Sequence, residues 1–225
     1  MSKNKLFSTK TLTVLAMICA IAFVLAAFVR FPITPPIPGL NLRYDPKDIV
    51  ITIGGFMFGP LAAAVVSVIV ALIQMVTTSA TGPWGALMNI VTSCAFCCTA
   101  AFIYKKNRSI KGAVIGLIAA VIVATVVAML WNMLILPIFV GIPRERVWPL
   151  LIPYLLPFNL IGNTLNAAFT MVLYKYVKAA LEKARLMPKV EQAQGTKKSH
   201  IGVIIFSAFV VGYMVLWILA WRGII

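Results

Sequence analysis

Acidic side chains are scarce in this chain. Five Asp and Glu stand against 20 Lys and Arg, and there is one histidine among 225 residues. No Asp, Glu, Lys or Arg falls in the middle of an apolar run. That absence excludes a membrane enzyme built on paired carboxylates around a metal. It also argues against a self-sufficient secondary carrier, which uses an intramembrane acid or a broken-helix ion site. No Gly-x-x-x-x-Gly-Lys phosphate loop occurs, so ATP is not hydrolysed by that route. The four cysteines, Cys19, Cys94, Cys97 and Cys98, lie inside apolar segments. The Cys-x-x-Cys of "CAFCC" has no second Cys or His pair and reads as helix packing rather than a zinc or redox centre. His200 stands alone beside the last apolar run and reads as interfacial. No catalytic set, no metal and no cofactor are expected.

What is abundant is apolar material. The chain is 62% hydrophobic and 11% charged, which reads as an all-α polytopic membrane protein. The formal charge of +15 does not point to nucleic acid, because the basic residues flank apolar stretches instead of forming a patch. Apolar segments run over residues 11–31, 49–58, 61–76, 84–104, 112–140, 150–177 and 201–221. The first is a retained membrane helix rather than a cleaved signal, since it is about twenty residues long and lacks a clear cleavage site. The expected organisation is a six-helix membrane domain over residues 1–180, a cytoplasmic linker over 181–200, and an extra C-terminal transmembrane helix over 201–225. With the N-terminus cytoplasmic, fourteen Lys and Arg fall inside and six outside, which fixes the orientation by the positive-inside rule.

The amides carry the next signal. Gln74, Asn89, Asn132, Asn159, Asn163 and Asn166 fall at similar depth in the outer half of their segments. Asn159, Asn163 and Asn166 share one helix face, at spacings of four and three. Such amides either bond helices to one another or line a pocket for a flat, neutral, polar molecule. Their clustering with Trp84, Trp131 and Phe158 favours the pocket.

The stretch "NLRYDPKDIVITIGGFMFGP" holds two of the five acids, Asp45 and Asp48, before a short apolar run. Both are expected at the outer entrance, solvated by water, with Asp48 placed to cap the second helix. Gly54 and Gly55 are expected to thin that helix for its neighbours, and Gly59-Pro60 to turn the chain at the inner face.

Three segments, "DPKDIVITIGGFMFGPLAAAVVSVIVALIQ", "PWGALMNIVTSCAFCCTAAFIYKK" and "LPFNLIGNTLNAAFTMVLYKYV", together resemble the S components of energy-coupling factor (ECF) vitamin transporters, most nearly the riboflavin type. The resemblance covers about residues 8–180. It implies a six-helix bundle in the bacterial cell membrane that binds a vitamin near the outer face and is not an enzyme. It further implies docking on a transmembrane coupling protein with two ABC-type ATPases, and toppling in the membrane to present the pocket inward. The family's small-residue docking face on the first helix matches Ala16 and Ala20. The resemblance implies that the loop between the first two helices helps close the pocket, and Leu40, Tyr44 and Asp48 join Gln74, Trp84, Asn89, Trp131, Asn132, Phe158, Asn159 and Asn163 as expected substrate-binding residues. Gly162 is a departure, because the riboflavin type usually carries a lysine there. The other ligands open to such a pocket are a pyrimidine or pyridine vitamin precursor, or an anion such as pantothenate held by Arg43 or Lys47.

Overall fold

The computed structural model describes residues 9–33, 42–78, 81–141, 143–183 and 212. The elements are α1 (Thr9–Phe28), α2 (Lys47–Phe58), α3 (Pro60–Thr77), α4 (Gly82–Lys106), α5 (Ile110–Val140), α6 (Arg144–Leu150), a π-helical turn (Leu151–Leu155) and α7 (Leu156–Lys183). Among the described residues the β-structure is a single antiparallel bridge, Phe31 with Tyr44. The expected linker and C-terminal helix, and Leu40, lie outside the described residues.

Among the described residues four stretches are long and apolar enough to cross a membrane: Thr9–Phe28, Pro60–Thr77, Gly82–Lys106 and Ile110–Ile138. Their outer faces carry large apolar side chains. On α5, Ile115, Ile118, Ile122, Val126 and Leu130 are exposed, while Ala113, Leu117, Ala120, Ala124 and Ala128 are buried. Small residues on the inward stripe let α4 approach, since bilayer helices associate through close packing rather than a hydrophobic force.

The centre of the bundle is α2. Its 12 residues rise about 18 Å, short of the ~30 Å hydrocarbon core. Ten of the 12 are buried, with α1, α3, α4 and α7 around them. The two glycines make this possible. A Cβ on Gly55 would stand 3.0 Å from the Cβ atoms of both Ala63 and Ala101, and one on Gly54 would meet the end of Ile18 at 2.9 Å. At the lower end Gly59 has φ 100°, a conformation that favours glycine, and Pro60 opens α3 where its missing N–H costs nothing.

Two features depart from the segments expected above. Between the apolar runs 112–140 and 150–177 the chain is already helical, because α6 runs through Arg144–Leu150. Pro149, Pro153 and Pro157 follow at spacings of four, so each lacks the N–H that would reach the carbonyl one turn back. The backbone widens into a π-turn around Pro153, and α6 continues into α7 through it. The second concerns Asp48. The N-cap of α2 is Pro46, with no side-chain capping bond, and Asp48 is buried rather than solvated.

Helix α5 does begin on a side-chain cap, as Ser109 Oγ accepts from the Gly112 N–H at 3.1 Å. Ser109→Ala is expected to cost about 1 kcal/mol and to lower the thermal unfolding midpoint by about 2–4 °C. An unchanged midpoint would contradict this role for the cap.

Candidate functional site

A cavity of about 370 Å³ opens between the segment entering α2, the first turns of α4, the upper part of α5 and the first turns of α7. Of the side chains expected from sequence, Tyr44, Asp48, Trp84, Asn89, Trp131, Asn132, Phe158, Asn159 and Asn163 all line it, together with Asn166. Helix periodicity explains this convergence. Asn159, Asn163 and Asn166 lie on one face of α7, and Trp131 and Asn132 lie on the opposing part of α5.

Gln74 does not line the cavity. It is buried on the α3 face that also carries Ser67, Val70 and Ala71, and both its amide atoms lack a hydrogen-bond partner among the described residues. Depth along a helix does not fix which face points inward, and depth was the signal that selected Gln74. Several lining residues were not singled out from sequence, among them Thr81, Met88, Thr92, Ile135 and Leu136. The signal for most of them is periodicity: Met88 and Thr92 flank Asn89, and Ile135 and Leu136 lie three and four residues beyond Asn132.

Tyr44 closes one side. Its backbone exchanges two hydrogen bonds with Phe31, at 2.9 and 3.2 Å, which join the segment after α1 to the segment before α2. Its ring is buried, meets Phe31 edge-on with centroids 5.3 Å apart, and lies against Gly162, whose added Cβ would sit 3.4 Å from it. Its hydroxyl donates to Asn166 Oδ1 at 2.8 Å. Burial, and then the charges of Asp48 and Asp45, push the phenol well above its usual range. The hydroxyl therefore stays a donor at physiological pH.

The amides are partly engaged. Asn132 donates to the Ala128 carbonyl at 2.7 Å, Asn159 to the Leu155 carbonyl at 2.8 Å, and Asn163 to Thr125 Oγ1 at 3.2 Å. These bonds fix the amide orientations and leave the carbonyl oxygens of all three free of any described protein donor. Lys47, one of the two cations named above for an anionic ligand, is buried and ion-paired with Asp45 at 2.9 Å. Trp131 Nε1 and Asp48 Oδ1 are buried without a partner among the described residues.

The family model for the substrate-specific component of ECF transporters matches residues 10–174. The chain belongs to that family. This ECF substrate-specific component is 31% identical over 179 residues to the riboflavin transporter RibU of Staphylococcus aureus (strain TCH60), covering 77% of this chain and 93% of the relative. It is 29% identical over 188 residues to the riboflavin transporter FmnP of Bacillus subtilis (strain 168), covering 78% and 96%. A solved structure of the S component of a bacterial ECF transporter matches with a TM-score of 0.64 and 32% identity, covering 76% of this chain and 96% of that one. The matched region of this ECF component contains the whole cavity wall, from Leu42 to Asn166.

Proposed function

We propose that this ECF S component captures riboflavin in the cavity between α2, α4, α5 and α7 and hands it inward on an ECF module. The observation that carries the reading is the wall itself. Trp84, Trp131, Phe158 and Tyr44 offer flat apolar surface for a fused ring, and Asn89, Asn132, Asn159 and Asn163 offer polar atoms for ring edges and a sugar-alcohol chain. The names of the two curated relatives support the same ligand. At position 162, where the riboflavin type usually has lysine, the Tyr44 ring lies against glycine, so this part of the wall is aromatic rather than cationic. Leu40 and Asp48 complete the proposed binding set. Lys47 is held by Asp45, which weighs against an anionic vitamin as the main ligand.

The proposed architecture is six membrane helices with the N-terminus cytoplasmic, a cytoplasmic linker, and a seventh helix over 201–225. The proposed partners are an ECF transmembrane coupling protein and two ABC-type ATPases, with no nucleic acid and no cofactor. Ala16 and Ala20 are exposed on α1, opposite its buried face of Val14, Ile18, Ala22 and Ala26, which suits the close approach of a partner helix.

The purified protein is expected to quench riboflavin fluorescence with a sub-micromolar dissociation constant. Absence of quenching at about 10 µM, with the protein shown to be folded, would overturn the riboflavin assignment.

A further inference from the structure

Four cations stand together at the end of α4 and α5 away from the cavity. Lys105, Lys106, Arg108 and Lys111 are all exposed, and the chain has no Asp or Glu between Asp48 and Glu145. Lys105, Lys106 and Lys111 have no ion-pair partner among the described residues, while Arg108 has an interaction of its own. Both helices contain stretches able to cross a membrane, and only residues 107–109 separate them, so the turn lies at a bilayer surface. The turn is fixed in shape. The Ser109 N–H donates to the Asn107 carbonyl at 2.8 Å, the Ser109 hydroxyl caps α5, and a Cβ on Gly112 would collide with the Asn107 carbonyl oxygen.

Helix energetics account for only half of this cluster. Lys105 and Lys106, in the last turn of α4, suit the negative end of its dipole. Lys111 stands in the first turn of α5, which holds no acid, and Arg108 comes just before it. That is the positive end of the dipole, where a cation is disfavoured and an anion relieves the conflict. Each side of the turn also adjoins apolar surface. Lys106 Nζ lies over the exposed Phe102 ring, 4.7 Å from its centroid. Lys111 heads an exposed stripe of Ile115, Ile118 and Ile122, at spacings of four, three and four. A phosphate followed by two acyl chains has the same order of charge and apolar surface, whereas a free anion would use the cations alone. We propose that the α4–α5 turn binds an anionic phospholipid, with its phosphate among the four cations and its acyl chains along Phe102 and the isoleucine stripe. The site is independent of which vitamin the cavity takes.

The test counts lipids retained by the full chain in detergent, by native mass spectrometry, with phosphatidylglycerol and phosphatidylcholine in equal amounts. Wild type is expected to favour phosphatidylglycerol about tenfold. Lys105→Gln, Lys106→Gln, Arg108→Gln and Lys111→Gln together are expected to abolish the preference, whereas Arg144→Gln with Arg146→Gln keeps it. Equal retention by wild type overturns the proposal, as does a folded quadruple variant with the preference intact. Equal loss in the Arg144 and Arg146 variant shows that any surface cation serves, and the proposal fails. If the quadruple variant does not fold, Lys111→Gln alone decides: it is expected to lower the preference about fivefold without lowering the unfolding midpoint in lipid-free detergent, and an unchanged preference overturns the site. Excess inorganic phosphate is expected to leave the preference in place, and full displacement of the lipid by phosphate overturns the lipid assignment. A quadruple variant that retains the lipid but no longer copurifies with an ECF coupling protein marks a protein interface instead, and the proposal falls.

Discussion

Tyr44→Ala is expected to weaken riboflavin binding by about a hundredfold in quenching titrations, and Tyr44→Phe by about tenfold. The two substitutions divide the role of the side chain. Phenylalanine keeps the ring against Gly162 and Phe31 but leaves Asn166 Oδ1 without its donor at 2.8 Å. An unsatisfied buried acceptor costs about 1–3 kcal/mol. Alanine also removes the buried ring, and large-to-small changes at aromatic sites cost about 3–5 kcal/mol in packed cores. Part of that cost falls on the closed cavity, because the ring packs with Ile33, Ile161 and Leu165 into a small apolar cluster beside it. Equal affinities for wild type and Tyr44→Ala would show that this wall plays no part in holding the ligand.

Gly55→Leu is expected to prevent recovery of a folded, monodisperse protein. The position lies where α2, α3 and α4 meet, and a Cβ there already touches Ala63 and Ala101 at 3.0 Å. Neither neighbour is a flexible side-chain tip that can swing aside. Gly55→Ala is expected to cost about 1–3 kcal/mol through overpacking, read as a lower unfolding midpoint. Gly54→Ala is the contrast, since its contact is Ile18 Cδ1, which another rotamer moves away. If Gly54→Ala and Gly55→Ala lowered the midpoint equally, the three-helix junction would not be the tight point of the bundle.

Much of this was legible in the sequence because the physics is local or compositional. Helix ends marked by Pro60, Gly82-Pro83 and Lys105-Lys106 fell within about two residues of expectation, since proline and charge act where they stand. The shortness of α2 followed from the distance between Asp48 and Gly59. The cavity was found through asparagines whose shared face follows from helix periodicity. Three features were not legible. Gln74 shares its depth with the cavity amides but faces another seam, and facing depends on the rotation of α3 against its neighbours. Asp48 was expected in water at an entrance, whereas the packing around α2 buries it. The π-turn at Leu151–Leu155 comes from the joint effect of three prolines, each of which reads alone as an ordinary break.

The bridge between Phe31 and Tyr44 bears on how load travels through the molecule. Phe31 lies three residues beyond the last turn of α1, the helix that carries Ala16 and Ala20 on its outer side. Two backbone hydrogen bonds fasten that end of α1 to Tyr44, whose hydroxyl is fastened in turn to Asn166 on α7. The sixteen residues from Tyr44 to Gly59 then run down through the centre of the bundle. A displacement of the chain just beyond α1 therefore reaches, through these two backbone hydrogen bonds, the tyrosine that walls the cavity.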